Sequence, residues 1–506
     1  MTLTSKSKSA STGNKINGNI NSDLGNKRYV VTKVPAGCVC VQIADDSNIQ
    51  RMLGNAGLLE SNVGARVVTT SGKDKRKTTM HLLLDTDRLA TSVAEIGAAV
   101  SAIKDASVCV CIDQVAASYR KALVLAVWKA CYSFDANKTT TKSSPATQLV
   151  FASASPADAK LHDLLVSVKL AADIENEPAN MVTPETLAAR IADWFPAANS
   201  RVLHAADLRK EGMGLVEAVG QGAASPPCVL LLDSHPTAAV GGRIARKTVA
   251  SKTAASKTVS KTVASKQRTT VLVGKGVIFD SGGLSVKSLR GMYGMHGDKS
   301  GAAVAAAIFR HVLSTSRNKG RRFVAIIPLV ENAISSTAVR PGDVATACNG
   351  TTVEIVDPDA EGRLILADAI AYAVKHYSPD MVLDFATMTG YGSNIHHDLS
   401  AAVYTTNDVL AKAAYDAGEQ TGERIWRMPP WPEYVADTAS SIADLRNAGW
   451  DTYDDGYMGA MFLSNFAPPN GSWVHFDIAK NTASGALVGV FIATGVAMGI
   501  DFLTRC

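Results

Sequence analysis

The sequence predicts an α/β protein of two domains: a smaller N-terminal α/β domain and a larger C-terminal domain whose mainly parallel central sheet is covered by helices. Short apolar runs alternate with stretches of helical apolar spacing, which is typical of parallel sheets. The 506 residues exceed the roughly 250 to 300 at which one hydrophobic core stops growing. With 46% hydrophobic and 19% charged residues, the composition excludes a fibrous or largely disordered chain.

The N-terminal part begins with a tail. Residues 1–28 are rich in Ser, Lys, Asn and Gly and lack an apolar segment, so we expect a disordered tail and no secretory signal. An organellar presequence is the weaker alternative, because Asp23 is the only acid there. Residues 29–156 are predicted to form the N-terminal α/β domain, from strand-like and helical segments at 29–34, 91–103, 107–112 and 117–133.

A linking helix is predicted over residues 157–180, and the domain junction is placed near it. Its amphipathic spacing is broken around Pro178, since proline cannot continue a helix. The next helix is expected to have Thr183 as its N-cap and Pro184 at its first position.

Residues 181–506 are predicted to form the larger domain. Strand-like apolar runs alternate with helical stretches and lie at 228–232, 271–273, 323–329 and 381–385. In parallel sheets of this kind, ligand sites form at the carboxyl ends of the strands. Residues that directly follow these runs are therefore the first candidates for chemistry.

Residues 241–270 predict a flexible, Lys-rich surface insertion between two core strands. A Lys-Thr-Val/Ala-Ala-Ser theme repeats there with a period near five, without large apolar residues to bury. The segment holds eight basic residues and no acid, so the rest of the chain carries −3 once these eight are taken from the net charge of +5. The basic pI therefore says little about the folded body.

The cysteines and the last apolar run indicate a soluble protein of a reducing compartment. The eight cysteines include two Cys-x-Cys pairs and no Cys-x-x-Cys, so we expect reduced, inert thiols and a cytoplasmic location; redox or adventitious metal binding is the alternative. The apolar run at 485–500 is shorter than the roughly 18 to 20 residues of a membrane span, so a buried terminal helix and no membrane contact are expected.

The segment 273–287 carries the first candidates for chemistry. A strand enters a Gly-rich loop that presents Lys275, Asp280 and Lys287. Lysine among glycines suggests phosphate binding, but the GxxxxGK[ST] spacing is not matched, and the carboxylate indicates a cation. An ordinary ion-paired loop remains the alternative for this segment taken alone.

Two further segments add carboxylates. Asp359, Glu361 and Arg363 are spaced by two, so an extended backbone would direct all three side chains to one side. Carboxylates held so close repel each other unless a cation or proton lies between them, although a capping cluster at a helix N-terminus is the alternative. Asp298 precedes an Ala-rich helical stretch, 300–311, and taken alone is more readily an N-cap than a ligand.

Together these segments resemble the leucine aminopeptidase family of dinuclear metallopeptidases, the M17 family. The resemblance extends from about residue 176 to the C-terminus, apart from the Lys-rich insertion, and is weak before it. Four features carry it, namely the spacing of Lys275, Asp280, Lys287 and Asp298, the Asp-Ala-Glu-Gly-Arg stretch at 359–363, and the segments 176–180 and 340–343.

The resemblance implies a leucyl-type aminopeptidase that removes the N-terminal residue of short peptides with a metal-bridging hydroxide. It implies two divalent ions, Zn²⁺ or Mn²⁺ and possibly Mg²⁺, and a homohexamer. The implied metal-bridging carboxylates are Asp280 and Glu361, and the tighter site also uses Lys275 and Asp298. The more exchangeable site uses Asp359. Lys287 and Arg363 match the two catalytic cations, with a bicarbonate at Arg363. The implied substrate pocket includes Met295, Thr387, Met388 and Gly390.

Several residues depart from the family pattern. Ser288 stands where Pro is usual, Lys299-Ser300 replaces Met-Gly, Met388 replaces Leu, and Lys480 replaces Gly. None of these changes removes a metal ligand. They leave the substrate preference and the loop geometry open.

Two other functions were weighed. The Lys-rich insertion could bind nucleic acid or an anionic surface, but it has no interleaved aromatic residues to stack on bases, so a solvated loop is favoured and nucleic acid is an unexpected partner. Clustered carboxylates also serve two-metal phosphoesterases. Against that function, the chain has no His-rich ligand set, and lysine as a direct metal ligand is unusual at phosphate sites.

Overall fold

The computed structural model describes most of the chain between residues 30 and 506. The described ranges are 30–31, 39–45, 68–71, 78–84, 89–103, 107–139, 148–196, 199–235, 268–315, 320–390, 399–449, 455–469, 472–479 and 493–506. The predicted tail at 1–28 and residues 241–267 of the predicted insertion lie outside these ranges.

The N-terminal part forms a six-stranded sheet in the order β1-β6-β5-β2-β4-β3, with every pairing parallel except that of β3 with β4. Its strands are β1 (Val30–Val31), β2 (Val39–Asp45), β3 (Val68–Ser71), β4 (Thr78–Leu84), β5 (Ser107–Gln114) and β6 (Gln148–Ala152). Two helices accompany them, α1 (Leu89–Ser101) and α2 (Ala117–Cys131). This arrangement confirms an N-terminal α/β unit.

The linking helix is shorter than the segment 157–180 predicted for it. A 3-10 turn at Pro156–Ala159 leads into helix α3 (Lys160–Glu175), and a second 3-10 turn follows at Ala179–Met181. Helix α4 (Pro184–Ala192) then begins as predicted, because the Thr186 amide donates to Thr183 Oγ1 at 3.2 Å and Pro184 occupies the first position.

The larger part is built on a nine-stranded sheet in the order β16-β15-β18-β14-β9-β11-β8-β7, with β10 also paired to β11. Its central pairings, β18-β14-β9-β11 and β11-β10, are parallel, whereas β8 and β7 on one side and the β15–β18 pairing on the other are antiparallel. A separate three-stranded sheet has the order β12-β13-β17. The strands are β7 (Ser200–Leu203), β8 (Cys228–Asp233), β9 (Arg268–Gly274), β10 (Gly276–Asp280), β11 (Arg321–Asn332), β12 (Asp343–Thr346), β13 (Thr352–Ile355), β14 (Met381–Ala386), β15 (Ala401–Tyr404), β16 (Ile425–Arg427), β17 (Leu445–Arg446) and β18 (Trp473–Asp477).

Helices cover both faces of the large sheet. The α-helices are α5 (Ala205–Glu211), α6 (Gly214–Gly220), α7 (Leu289–Met292), α8 (Ser300–Ser314), α9 (Glu361–Tyr377), α10 (Asp408–Thr421), α11 (Asp455–Ser464) and α12 (Val496–Arg505), with 3-10 helices at Met295–Lys299 and Pro432–Thr438. Leu272 on β9 joins the core that contains α8 and α12. Its neighbours Val271 and Val273 join the core that contains α6 and α9. The predicted fold class is therefore confirmed.

Two sequence predictions need correction or restriction here. The predicted Lys-rich insertion includes Arg268, Thr269 and Thr270, but these residues belong to β9, because they pair in parallel with Arg321, Arg322 and Phe323 of β11. Of the apolar run at 485–500, residues 485–492 lie outside the described ranges, and its end forms the buried start of α12. Within the described part of the chain, no helix combines the length and the apolar character that crossing a membrane requires.

Candidate metal centre

The carboxyl ends of the parallel strands bring polar residues together, as the fold class predicted. Lys275 follows β9, Asp280 ends β10, Asn332 ends β11 and Thr387 follows β14. The register places Asp280 directly beside Asn332. Because these strands run in one direction, their ends share one edge of the sheet, and this edge carries the site.

Lys275 is buried at the centre of this edge. Its amide donates to Phe385 O at 3.0 Å and its carbonyl accepts from Ala302 N at 2.7 Å, which ties it to β14 and to the start of α8. Its Nζ lies 2.9 Å from Asp298 Oδ1 and 2.9 Å from Glu361 Oε1. It also donates to Thr387 O at 2.7 Å. The amine therefore joins segments that are far apart in the sequence.

Asp280 is held by several donors. Its Oδ1 accepts from Gly282 N at 2.9 Å and from Asn332 Nδ2 at 2.8 Å. Gly282 has φ +85°, which a side chain would strain, and a Cβ there would lie 2.3 Å from Ser285 O. Lys287 Nζ lies 2.8 Å from Asp280 Oδ2 and 2.5 Å from Asp359 Oδ1.

Asp298 lies in the 3-10 turn Met295–Lys299 and does not cap a helix. The N-cap position of α8 is occupied by Lys299, so the capping alternative for Asp298 is not observed. Asp298 Oδ1 accepts from Thr387 Oγ1 at 2.6 Å. Its other oxygen, Oδ2, is buried without a hydrogen-bond partner. A buried carboxylate oxygen left this way is costly unless a cation binds it.

Glu361 and Arg363 lie in the first turn of α9, not on extended backbone. The argument from a spacing of two is therefore wrong for this pair, since the first helical turn rather than strand alternation sets their directions. Glu361 is nevertheless buried beside Asp280 and Asp298, and one carboxylate oxygen from each of the three lies within 4.8 Å of the others.

The structure thus brings six of the predicted residues into one group, which we term the lysine–carboxylate cluster: Lys275, Asp280, Lys287, Asp298, Asp359 and Glu361. Burial, and then the neighbouring carboxylates, raise the pKa of Asp298 and of Glu361, and raise the pKa of Asp359 to about 7. Burial alone would lower the pKa values of Lys275 and Lys287, but the surrounding carboxylates outweigh it and raise both.

The cluster has the chemistry of a divalent-cation site. Oxygen ligands from several carboxylates suit Mg²⁺, Mn²⁺ and Zn²⁺. Burial first, and then the neighbouring carboxylates, raise the pKa values of Asp298 and Glu361, and a bound cation would oppose both effects. The unpartnered Asp298 Oδ2 offers a ligand atom that no protein donor occupies. The residues therefore fit divalent ions of the kind that the resemblance implies.

Arg363 is buried beside the cluster and is held by residues that the sequence did not single out. Its Nη1 donates to Asn447 O at 2.7 Å, and its Nη2 pairs with Asp455. Its Nε, also buried, has no hydrogen-bond partner. The guanidinium is therefore fixed in place, with one donor still available to a small anion.

Asn447 organises the loop that leads into α9, although no motif pointed to it. Its Oδ1 accepts from Val356 N at 2.8 Å and Asp357 N at 3.2 Å. Its Nδ2 donates to Asp357 O at 2.7 Å and Ala360 O at 3.2 Å. The loop it holds contains Asp359. A single buried Asn, 84 residues from Arg363, offers no local signal of this role.

Replacing Asn447 by Ala is expected to lower the free energy of unfolding by about 2 to 4 kcal/mol, because buried amide and carbonyl groups would lose their partners. Urea unfolding of the metal-free protein would measure this. The matched control is Asn407→Ala, which removes the N-cap of α10 and should cost about 1 kcal/mol. An Asn447 variant no less stable than the Asn407 variant would contradict the role assigned here.

The residues predicted for the substrate pocket lie at different distances from the cluster. Thr387 contacts Lys275 and Asp298 directly. Met388 lies near Arg363, since a Cβ added at Gly459 would meet both at 3.3 to 3.4 Å. Met295 is half-buried at the start of the turn that carries Asp298, and Gly390 is exposed at the end of a described range.

Asp477 is a second residue that the sequence analysis did not assign to the site. Its Oδ1 accepts from Met388 N at 3.0 Å, and its Oδ2 accepts from Thr389 N at 3.1 Å and Thr389 Oγ1 at 2.9 Å. This buried carboxylate at the end of β18 therefore holds the loop that supplies Thr387 to the cluster.

A separate groove of about 780 Å³ lies between α6 and β12 and is lined by Arg209, Glu217, Arg340 and Cys348 among others. It shares no residue with the lysine–carboxylate cluster. Its two arginines are already paired, Arg209 with Glu217 and Arg340 with Asp343. The candidate site is therefore identified by the charged side chains that converge there, and not by the volume of a cavity.

The fold and the cluster define a class: α/β proteins with an acidic cation site at the carboxyl ends of a parallel sheet. Within it, this chain belongs to the cytosol aminopeptidase family, because the model of that family's catalytic domain matches residues 169–500. This match confirms the resemblance to the leucine aminopeptidases. The matched residues nearly coincide with the part of the chain, from about residue 176 onward, that carries the motifs.

Comparisons with individual proteins agree. The chain is 39% identical over 324 residues to the "Probable cytosol aminopeptidase" of Chlamydia trachomatis serovar D, which is 63% of this chain and 59% of that relative. The chain thus spans less than two thirds of the length of this relative.

Solved structures match over more of the chain. "Bottromycin maturation enzyme BotP in complex with Mn" superposes with a TM-score of 0.75 at 26% identity, covering 92% of this chain and 99% of that one. The cytosol aminopeptidase of Coxiella burnetii gives a TM-score of 0.74 at 26% identity, covering 94% and 99%. The N-terminal α/β unit is therefore included in the shared fold.

Proposed function

We propose that this protein is a leucyl-type metallo-aminopeptidase that hydrolyses the N-terminal residue of short peptides. The observation that carries the proposal is the convergence of Lys275 with the buried carboxylates of Asp280, Asp298 and Glu361 at the carboxyl edge of the sheet. Membership of the cytosol aminopeptidase family supports the reaction class.

The residues that would hold two divalent ions are Lys275, Asp280, Asp298, Asp359 and Glu361, with Asp280 and Glu361 shared between the ions. When bound, the ions supply Lewis acidity and a water of lowered pKa for attack on the peptide carbonyl. The chain contributes the rest. Thr387 orients Asp298 through its hydroxyl, and Asn332 orients Asp280 through its amide. These two contacts hold ligand oxygens in place before substrate arrives.

Lys287 and Arg363 are the proposed catalytic cations. Lys287 is partly exposed, with 17% of its side chain accessible, and lies between Asp280 and Asp359, so its ammonium can reach a substrate carbonyl and stabilise the charge that develops on its oxygen. Arg363 is fixed with Nε free of protein partners and would hold a small anion such as bicarbonate as proton acceptor.

Other properties follow from the family and remain proposals. The Mn complex of BotP supports Mn²⁺, and Zn²⁺ or Mg²⁺ would suit the same oxygen ligands. The names of the relatives support a cytoplasmic location. A homohexamer and a pocket formed by Met295, Thr387, Met388 and Gly390 are carried over from the resemblance. The two-domain division at 29–156, 157–180 and 181–506 likewise stays a proposal.

The function is tested by assaying the Mn²⁺- or Zn²⁺-loaded protein with Leu-p-nitroanilide and, in parallel, with p-nitrophenyl phosphate. We expect hydrolysis of the first only, with about two ions bound per chain by elemental analysis. N-acetyl-Leu-p-nitroanilide is the matched control, because blocking the α-amine should abolish cleavage by an exopeptidase. Phosphatase activity without peptidase activity would favour a two-metal phosphoesterase.

Metal affinity is expected to fall as the pH falls from about 8 to about 6. Burial raises the pKa of Asp359 to about 7 and raises those of Asp298 and Glu361, so binding must displace protons. Each displaced proton weakens binding by up to about tenfold per pH unit below that pKa. Calorimetric Mn²⁺ titrations at several pH values would measure this. An affinity that does not change with pH would contradict it.

The stability of the metal-free protein should show the opposite trend. These carboxyl groups have folded-state pKa values above the unfolded value of about 4, so they bind more protons in the folded state. Their contribution to the free energy of unfolding is largest below about pH 4 and is lost as the pH rises through about 7. Between pH 6 and 8, the melting temperature should therefore fall without metal, and added Mn²⁺ should raise it most at pH 8.

A further inference from the structure

Lys299 is a lysine with no solvent exposure that lies next to Asp298 in the chain. Its Nζ donates to Glu177 O at 2.8 Å, to Glu175 O at 3.2 Å and to His296 O. Within the described ranges, no carboxylate pairs with this amine. A buried amine normally requires a charged partner, and here backbone carbonyls take that place.

The three carbonyls belong to two separate parts of the fold. Glu175 ends helix α3, and Glu177 lies in the segment that follows it, where carbonyls have no partner within the helix. His296 lies in the 3-10 turn Met295–Lys299, so the amine joins this turn to the end of α3.

The same turn also packs against β10. It begins after Gly294, which has φ +92°, and its Gly297 carbonyl accepts from Ser300 Oγ at 2.6 Å. Asp298 reaches the cluster from this turn through one oxygen bonded to Lys275 and Thr387, while its Oδ2 has no hydrogen-bond partner. The direction of Asp298 Oδ2 thus depends on how firmly the turn is held.

We propose that Lys299 is a positioning residue that fixes the turn Met295–Lys299 against the end of α3 and so orients Asp298 as a metal ligand. The inference rests on the proposed function, because it takes Asp298 to be a ligand. It adds a specific consequence: loss of the amine should weaken one of the two metal sites, the one that includes Asp298, and spare the other. If the lysine–carbonyl contacts only stabilised the fold, loss of the amine would not weaken one metal site more than the other.

The test is direct Mn²⁺ binding to the metal-free full-length chain by calorimetry. Lys299→Met keeps the length of the side chain and removes its donors. We expect one of two sites to weaken by about 10- to 100-fold, the range found when groups behind a metal ligand are removed, with the other site within about twofold of wild type. Lys299→Gln, which keeps amide donors, should weaken it less and provides the measurement if the Met variant does not fold.

The matched control is Lys129→Met, which removes another largely buried lysine that pairs with Glu423 at 2.6 Å and does not belong to the turn. It should lower the melting temperature and leave both Mn²⁺ affinities unchanged. Wild-type Mn²⁺ binding in a folded Lys299 variant would overturn the inference while leaving the proposed function intact. Absence of Mn²⁺ binding by the wild type would overturn the proposed function and this inference with it.

Discussion

Replacing Glu361 by Ala is expected to remove bound metal and to lower kcat/KM for Leu-amide by roughly 10³-fold or more, while the chain stays folded. Glu361 is buried, and one of its oxygens lies within 4.8 Å of oxygens from Asp280 and Asp298. As a shared ligand, it would contribute to both ions at once.

The fold should tolerate this change because the ionised Glu361 is itself unfavourable without metal. Burial and the neighbouring Asp280 raise the pKa of Glu361, so its negative charge destabilises the metal-free cluster. Lys275 would keep Asp298 and the Thr387 carbonyl as partners. Elemental analysis, circular dichroism and Leu-amide hydrolysis on one preparation would measure the three outcomes.

Glu217→Ala is the matched control, since Glu217 is a half-exposed acid paired with Arg209 outside the cluster. It should keep metal and turnover. Retention of metal and of normal rates in the Glu361 variant would refute the metal centre. Loss of structure together with metal would be separated from ligand loss by Glu361→Gln, which keeps the volume of the side chain.

Replacing Lys287 by Met is expected to give a different result: kcat falls by about 10²- to 10³-fold while metal is retained. Lys287 is proposed to stabilise charge on the substrate carbonyl, and removal of one such donor acts on the transition state more than on substrate binding. Its ammonium also screens Asp280 from Asp359 in the metal-free chain. Without it, the carboxylates attract a divalent ion at least as strongly.

Steady-state kinetics at saturating Mn²⁺, combined with metal analysis, would separate this outcome from that of Glu361. Lys375→Met is the matched control, because Lys375 is exposed in the last turn of α9, at the opposite end of that helix from Glu361, and pairs with Glu211. A Lys287 variant with unchanged kcat would remove it from the catalytic machinery. One that lost metal would make Lys287 part of the metal site instead.

The local chemistry of this protein was predictable from its sequence. The Gly-rich loop with Lys275 and Asp280 and the acidic stretch before α9 could be recognised because neighbouring residues carry their own signals. The same holds for the Thr183 N-cap, which depends on a hydrogen bond to Thr186 only three residues away. The C-terminal boundary of the Lys-rich insertion was predicted less accurately. Arg268 resembles the insertion because it is basic, but it belongs to β9 and pairs with β11.

The spacing of residues gave a wrong prediction of side-chain direction where it was compatible with both a helical and an extended backbone. Asp359, Glu361 and Arg363 were treated as extended, yet Glu361 and Arg363 belong to a helical turn. Their side chains still serve one site, but for a different reason: the N-terminus of α9 faces the carboxyl edge of the sheet. The contacts of Asn447 with Arg363 and the loop before α9, of Asp477 with Met388 and Thr389, and of Lys299 with the end of α3 could not be predicted, since these partners lie 84 to 124 residues away without a local pattern.

By itself, the sequence determined which residue types could bind cations, the α/β class, and the family to which the catalytic part belongs. Tertiary structure decided that Lys275, Asp298 and Glu361 meet within one buried group, and that backbone carbonyls from two separate segments hold the amine of Lys299. The physical reason is that periodicity and capping are set by near neighbours. The convergence of distant side chains depends instead on strand order and on which face of the sheet each helix covers.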